Sequence, residues 1–180
     1  MSNGSDFTMT RLGKRSVIVH QPIEKVFEFF ADATNLEVLT PHWLHFKIIS
    51  ALPINMGTGT LIDYKLKVKG LPISWRSEIL DWNPPFIFVD RQIKGPYEMW
   101  VHTHTFTEIN NGTLVDDEVV YKVPGDGWIE QCFRNRWSII RMGGHLLKAV
   151  TFSLALIVRR DLEKIFDYRT RKLQKYFGIE

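Results

Sequence analysis

The chain has 180 residues, a formal net charge of +3 and a single cysteine, Cys132. This length suits one domain that buries a substantial core. The hydrophobic share of 44% and the charged share of 24% are ordinary for a globular protein, which excludes a largely disordered chain. A lone cysteine excludes an internal disulfide, so we expect a cytoplasmic protein. The polar residues 1–13 are predicted to form a flexible N-terminus, and residues 14–180 a single domain.

Positive charge is concentrated in the last third of the chain. Residues 1–127 contain 12 Lys and Arg against 15 Asp and Glu, whereas residues 128–180 contain 11 against 5. Such a basic region can contact an anionic membrane surface transiently, or it can simply solvate the outer face of a helix. No aromatic and glycine signature of an RNA-binding domain accompanies it, so nucleic-acid binding is not expected.

The first predicted elements are a strand and two short helices. Residues 14–20 (K-R-S-V-I-V-H) carry alternating apolar residues and predict a strand. Pro22 ends that strand and suits the first turn of a helix, which the apolar spacing extends to about Asp32. Residues 34–39 predict a second short helix that stops before Pro41.

Six further strands are predicted after these helices. Apolar runs at residues 46–52, 60–68 and 73–82 are linked by Gly and Pro. Residues 82–121 then contain three more runs, F-I-F-V-D-R-Q-I, E-M-W-V-H-T-H-T-F and T-L-V-D-D-E-V-V-Y, separated by K-G-P-Y and N-N-G. Short links of this kind favour an antiparallel meander, so we expect seven antiparallel strands in all.

A change of period near the end of the chain predicts a long C-terminal helix. Apolar residues recur at spacings of three and four from Leu147 to Tyr176, except where Arg169 falls on the stripe and could pair with a strand carboxylate. Gly143-Gly144 predicts a break before this helix, and residues 128–142 a separate helical piece. A curved sheet wrapped around the long helix gives an α+β fold with a hollow between the two.

The order of strand, two small helices, six strands and long helix resembles the helix-grip fold of the START-related SRPBCC superfamily, also called the polyketide cyclase and dehydrase group. The motifs W-N-P-P-F-I-F-V-D-R-Q, G-P-Y-E-M-W-V-H-T-H-T-F and I-F-D-Y-R are similar to those of a bacterial branch of it. The resemblance implies one START-like ligand-binding domain over residues 14–180. It does not imply one function, because the superfamily holds lipid carriers, hormone receptors, cyclases and co-chaperones.

Two histidines share one face of the longest strand. Side chains alternate between the faces of a strand, so Trp100, His102, His104 and Phe106 point the same way. A tight turn at Asn111-Gly112 predicts that His104 lies opposite Val119 and His102 opposite Tyr121, with Asp117 diagonal to His104.

The preceding hairpin adds polar residues to the same face. Its link, Lys94-Gly95-Pro96, predicts that Ile93 pairs with Tyr97. The residues that then share the histidine face are Phe88, Asp90 and Gln92.

The leading functional hypothesis is a protein that binds or carries a hydrophobic or amphipathic small molecule, of lipid or polyketide-like type, between sheet and helix. Concave apolar hollows with a few polar groups are where such molecules bind. The predicted lining is Phe88, Asp90, Gln92, Trp100, His102, His104, Phe106, Tyr121, Leu154 and Val158. The sequence does not indicate the ligand or the oligomeric state.

A less favoured hypothesis is an enzyme of the cyclase or dehydratase type. A histidine paired with a carboxylate can act as a general base. His102 or His104 would take a proton from a carbonyl substrate, Asp117 would orient the imidazole, and Tyr121 would hold the substrate oxygen. The simpler alternative is that histidine and aspartate satisfy each other inside the sheet, as buried polar groups must.

No cofactor or metal is expected from the sequence. Nucleotide-binding and nucleophile-elbow motifs are missing. Two histidines two residues apart on a strand can chelate a metal, and Asp90 or Asp117 could complete the site. Without cysteine ligands or a third nearby histidine, however, the pattern is weak.

Overall fold

The structure, a computed structural model, describes the backbone of residues 10–123 and 143–178, and in the last helix the side chains from residue 155 onward. The elements, in chain order, are β1 (Thr10–Val19), α1 (Ile23–Ala31), α2 (Asn35–Leu39), a 3-10 turn (His42–Leu44), β2 (Lys47–Ile48), β3 (Leu61–Val68), β4 (Leu71–Asn83), β5 (Ile87–Lys94), β6 (Met99–Ile109), β7 (Gly112–Lys122) and α3 (Gly143–Tyr176).

The seven strands form one antiparallel sheet in the order β1-β7-β6-β5-β4-β3-β2. This confirms the predicted α+β class, with seven strands, two short helices after the first and a long C-terminal helix. None of the described helices combines the length and the hydropathy that a bilayer-crossing segment requires.

Several boundaries differ from the predicted ones. β1 begins at Thr10, so residues 10–13 belong to the sheet and not to a flexible N-terminus, because Leu12 pairs with Val119 and is 2% exposed. β2 has only two residues, where 46–52 is the predicted strand. The backbone of α3 is helical from Gly143, and the residues in front of it, where a break would separate it from the preceding segment, lie outside the described part of the chain. The predicted helical piece at 128–142 lies outside the described residues.

The predicted register of the last hairpin is wrong by two residues. The turn is centred on Asn110-Asn111, and Ile109 pairs with Gly112. Gly112 has a φ of 140°, and a Cβ there would collide with the backbone of Val19, so this glycine is needed as the first residue of β7. His104 therefore lies directly opposite Asp117.

The β5–β6 pairing is displaced by two residues as well, with Phe88 opposite His104 and Asp90 opposite His102. A slip of two residues changes partners but not faces, because side chains alternate with a period of two. The predicted inward face is therefore kept in both hairpins, while the cross-strand neighbours are different ones.

The core is densest under α1. Phe27 of α1 makes edge contacts with Phe88 and Phe106, and Phe30 does so with Phe106. Burying side chains of this size stabilises the fold by about 1.5–3 kcal/mol each. At this end sheet and helix are in direct contact through a core that includes Leu173. Toward β3 and β4 the space between them is not filled.

Candidate functional site

A cavity of about 930 Å³ lies between the sheet and α3. Its walls are mostly apolar, and the size is at the upper end of small-molecule sites. The lining side chains come from every layer of the fold: Phe30, Leu36 and Leu39 of the small helices; Ile62, Leu66, Trp75, Phe88 and Trp100 of the sheet; and Val158, Leu162 and Phe166 of α3.

Two imidazoles stand between two carboxylates on the cavity floor. His102 and His104 on β6 are 7% and 2% exposed. Oδ2 of Asp90 lies 3.6 Å from Nδ1 of His102 and 3.8 Å from Nε2 of His104. On the other side, Oδ1 of Asp117 lies 2.6 Å from Nδ1 of His104 and 3.5 Å from Nε2 of His102. We call these four residues the His–Asp cluster.

Arg169 of α3 closes the cluster from the helix side. Its Nε donates to Oδ2 of Asp117 at 2.9 Å, and its guanidinium lies 5.4 Å from the ring centre of Phe30. Arg169 is only 8% exposed. An arginine is rarely buried to this extent unless its charge is paired, as it is here with Asp117. The sequence signal for it is the single charge on an otherwise apolar helical stripe, although the sequence does not single out Asp117 as its partner.

Asp90 is held by residues that the sequence does not point to. Ser77 of β4 donates its Oγ hydrogen to Oδ1 of Asp90 at 3.3 Å. The indole of Trp75 donates to the same Oγ at 3.1 Å, and the Tyr64 hydroxyl lies 2.9 Å from it. The polar lining therefore continues from β6 across β5 and β4 to β3.

The carboxylates of the cluster are ionised and His102 is neutral. Burial lowers the pKa of His102 to about 4, and the neighbouring His104 adds to this effect. Burial alone would raise the pKa of Asp117, but the charge of Arg169 and contacts with both histidines hold it well below 3.8. Burial alone would likewise raise the pKa of Asp90, but its interactions with His104, His102 and Arg169 lower it.

Three buried atoms of the cluster lack a well-aligned hydrogen bond among the described residues. They are Nε2 of His102, Nδ1 of His104 and Oδ1 of Asp117. The 2.6 Å separation between His104 and Asp117 is short enough for a hydrogen bond, but its angle is poor. Buried polar atoms rarely lack a hydrogen-bond partner. The cluster can therefore form further bonds with a group that enters the cavity.

Five of the predicted site residues line the cavity from the sheet, and one lines it from the helix. The five are Phe88, Asp90, Trp100, His102 and His104, and the one on α3 is Val158. The side chain of Leu154 lies outside the described residues.

Four predicted site residues do not line the cavity. Gln92 is occupied by the hairpin turn, since its amide bonds to both the N–H and the carbonyl of Tyr97. Phe106 is in the core under α1. Asp117 stands behind the histidines. Tyr121 is 1% exposed and pairs with Trp100, so its predicted position opposite His102 is wrong.

The cavity reaches the surface between the β3–β4 turn and α3. Leu71 and Ile157 line it and are 67% and 45% exposed. Lys69 of the turn forms an ion pair of 2.9 Å with Asp161 of α3 across this opening. We call the opening between Lys69, Leu71, Ile157 and Asp161 the mouth.

No sequence model of a known family matches the chain, and neither does any curated protein. Solved structures do resemble it in fold. The di-domain ARO/CYC protein StfQ from the steffimycin biosynthetic pathway matches 95% of this chain at a TM-score of 0.63 and 14% identity. The match covers 51% of StfQ, so this chain spans about half of that protein's length.

Two further matches extend over nearly the whole of the other chain. Ara h 8.0201 matches 96% of this chain and 99% of its own length, at a TM-score of 0.56 and 11% identity. The major latex-like protein 151 of Panax ginseng matches 94% and 98%, at a TM-score of 0.57 and 10% identity. The chain has the helix-grip fold. At these identities the likeness concerns the fold.

Proposed function

We propose that this helix-grip protein binds or carries a hydrophobic or amphipathic small molecule, of lipid or polyketide-like type, in the cavity. The observation that carries the proposal is the cavity of about 930 Å³ with apolar walls and one buried polar cluster. An apolar molecule would gain about 25 cal/mol for each Å² of its surface that leaves water. The His–Asp cluster would then orient the polar end of the molecule.

The mouth supports uptake from solution or from a membrane surface. Its exposed apolar side chains, Leu71 and Ile157, continue into the cavity lining beside the Lys69–Asp161 ion pair, so an apolar chain could enter along them. Transient contact with an anionic membrane surface stays a prediction, because most of the basic segment between residues 128 and 160 lies outside the described side chains. A cytoplasmic location also stays an expectation from the single cysteine.

Two experiments test the binding proposal: identification of molecules that co-purify with the protein, and a screen for molecules that raise its melting temperature. Mass spectrometry of an organic extract from the purified protein should find a bound apolar molecule. A molecule that binds only the native state raises the melting temperature, so a panel of fatty acids and aromatic polyketides should contain stabilising members. An empty extract together with a melting temperature that ignores the whole panel would remove the proposal.

A cyclase or dehydratase activity is the second candidate, favoured by the place of both histidines on the cavity floor. The fold likeness to the ARO/CYC protein StfQ is compatible with it. His102, with a pKa of about 4, is too weak a base to work well near neutrality, so His104 is the better candidate. His104→Gln should abolish turnover of a polyketide substrate while keeping its binding. Unchanged turnover would exclude this candidate.

A further inference from the structure

We propose that Asp90, His102 and His104 bind a divalent transition-metal ion on the cavity floor. Asp90 pairs directly with His102 across β5 and β6, and His104 is two residues further along the same face. Oδ2 of Asp90 lies 3.6 Å and 3.8 Å from the nearest ring nitrogens of the two histidines. One donor atom from each residue can be chosen so that all three lie within 4.8 Å of one another.

The two Asp90 contacts suit a metal ion with little movement of these atoms. Donor atoms about 2.0–2.2 Å from a tetrahedral ion are roughly 3.3–3.6 Å apart. A bound ion would therefore shorten the two Asp90 contacts by at most a few tenths of an ångström. Small rotamer adjustments are enough for that change. Two imidazoles and one carboxylate are a ligand set for Zn²⁺ or Fe²⁺.

Asp117 supplies the support that metal-binding histidines usually have. It stands on the side of the imidazoles away from Asp90, nearest to Nδ1 of His104 and Nε2 of His102. Carboxylates in that place accept the second ring N–H and so aim the free lone pair at the metal. With protons on these two nitrogens, both rings would donate to Oδ1 of Asp117, and the other nitrogen of each ring would turn its lone pair toward Asp90.

The charge of the His–Asp cluster and Arg169 also favours a bound cation. The buried carboxylate of Asp117 and the partly buried one of Asp90 lie near one buried guanidinium, that of Arg169. The two carboxylates and the guanidinium together have one negative charge in excess, and an uncompensated buried charge is costly. A divalent ion would reverse the excess to a single positive charge.

The open position of the metal would face the cavity, since all three ligands line it. Three protein ligands leave at least one coordination position to water or to a ligand oxygen. This deepens the proposed function and rests on it: the bound molecule would carry an anionic or enolisable oxygen at its polar end, which the metal would bind and which would balance the charge.

The test uses the full chain after treatment with a chelator. Calorimetric titration with Zn²⁺ and visible absorption with Co²⁺ should each show saturable binding of one equivalent per chain. Asp90→Asn should weaken binding of both ions by at least about tenfold, and Asp117→Asn, which keeps all three ligands, by roughly 10- to 100-fold. His42→Gln removes an exposed histidine outside the cluster and should change neither titration.

Circular dichroism establishes that each variant is folded, and Asp117→Asn gives a second reading if Asp90→Asn fails to fold. A folded wild-type chain that binds neither ion saturably overturns the metal site, as do unchanged affinities in both cluster variants. Fatty-acid binding is measured on the same samples. Binding of fatty acid without metal refutes the metal site alone, whereas metal binding without any apolar ligand supports the site and contradicts the proposed ligand class.

Discussion

Arg169 of α3 donates a hydrogen bond of 2.9 Å to Asp117 of β7, and both side chains are more than nine-tenths buried. The pair joins the C-terminal helix to the sheet directly behind the two histidines. It thereby fixes the carboxylate that contacts both imidazoles. The geometry of the cavity floor depends on a helix residue that is 52 positions away in sequence.

Removing Arg169 should destabilise the fold strongly. Arg169→Met leaves the Asp117 carboxylate buried without its partner, and breaking a buried pair in this way costs about 3–5 kcal/mol. The matched control is Arg159→Met, which breaks the exposed Arg159–Glu163 pair on the same helix and should cost no more than about 0.5 kcal/mol. Urea denaturation measures both free energies of unfolding. Equal losses in the two variants would show that the buried pair does not anchor α3.

Sequence periodicity predicts which face a residue occupies more reliably than which partner it meets. The alternation in β6 and β7 places His102, His104 and Asp117 on one face, as the structure does. The N-N-G turn permits two positions for the hairpin, and the choice between them depends on the contact of Gly112 with β1, which local sequence does not reveal.

Long-range partners were still less accessible from sequence. Ser77 reaches Asp90 only because the pairing of β4 with β5, which contains two irregularities, places Ser77 opposite Gln92 and beside Asp90. Arg169 was visible as a charge on an apolar stripe, but its choice of Asp117 depends on how α3 lies across the sheet. Such partners are set by tertiary packing and not by periodicity.

Acid should destabilise the metal-free protein before its carboxylates titrate. The pKa of His102 is about 4 in the folded chain against 6.5 as its ordinary value. The unfolded chain therefore binds more protons between these pH values, and stability falls as the pH is lowered through this window, by on the order of 3 kcal/mol. Below it, the lowered pKa values of Asp90 and Asp117 predict a further loss as these carboxylates become protonated.

Urea midpoints measured across this pH range test the assignment. His102→Gln should flatten the fall in stability between pH 6.5 and 4, whereas His42→Gln, which replaces an exposed histidine, should keep it. A wild-type curve that is already flat in this window would mean that His102 is not held neutral by burial.

The ion pair across the mouth should slow ligand exchange. Lys69→Met removes the contact with Asp161 and should raise both the association and the dissociation rate of a fluorescent fatty acid in stopped-flow experiments. Stability should change by less than about 1 kcal/mol, because the pair is largely exposed. Arg11→Met breaks an exposed pair with Glu118, neither of which lines the cavity, and serves as the control. Identical exchange rates in the two variants would place the ligand path elsewhere.

The central claim, a ligand in the cavity, is tested most directly by filling the cavity. Leu66→Trp adds bulk to a lining residue of β3, and Leu61→Trp makes the same kind of change on the outward face of that strand. Calorimetric titration of delipidated protein with a stabilising fatty acid or polyketide should show one-to-one binding by the wild type and by Leu61→Trp. Folded Leu66→Trp should bind at least about tenfold more weakly, a loss of 1.4 kcal/mol or more. Equal affinities of the two tryptophan variants, or no saturable binding by the wild type, would contradict the account.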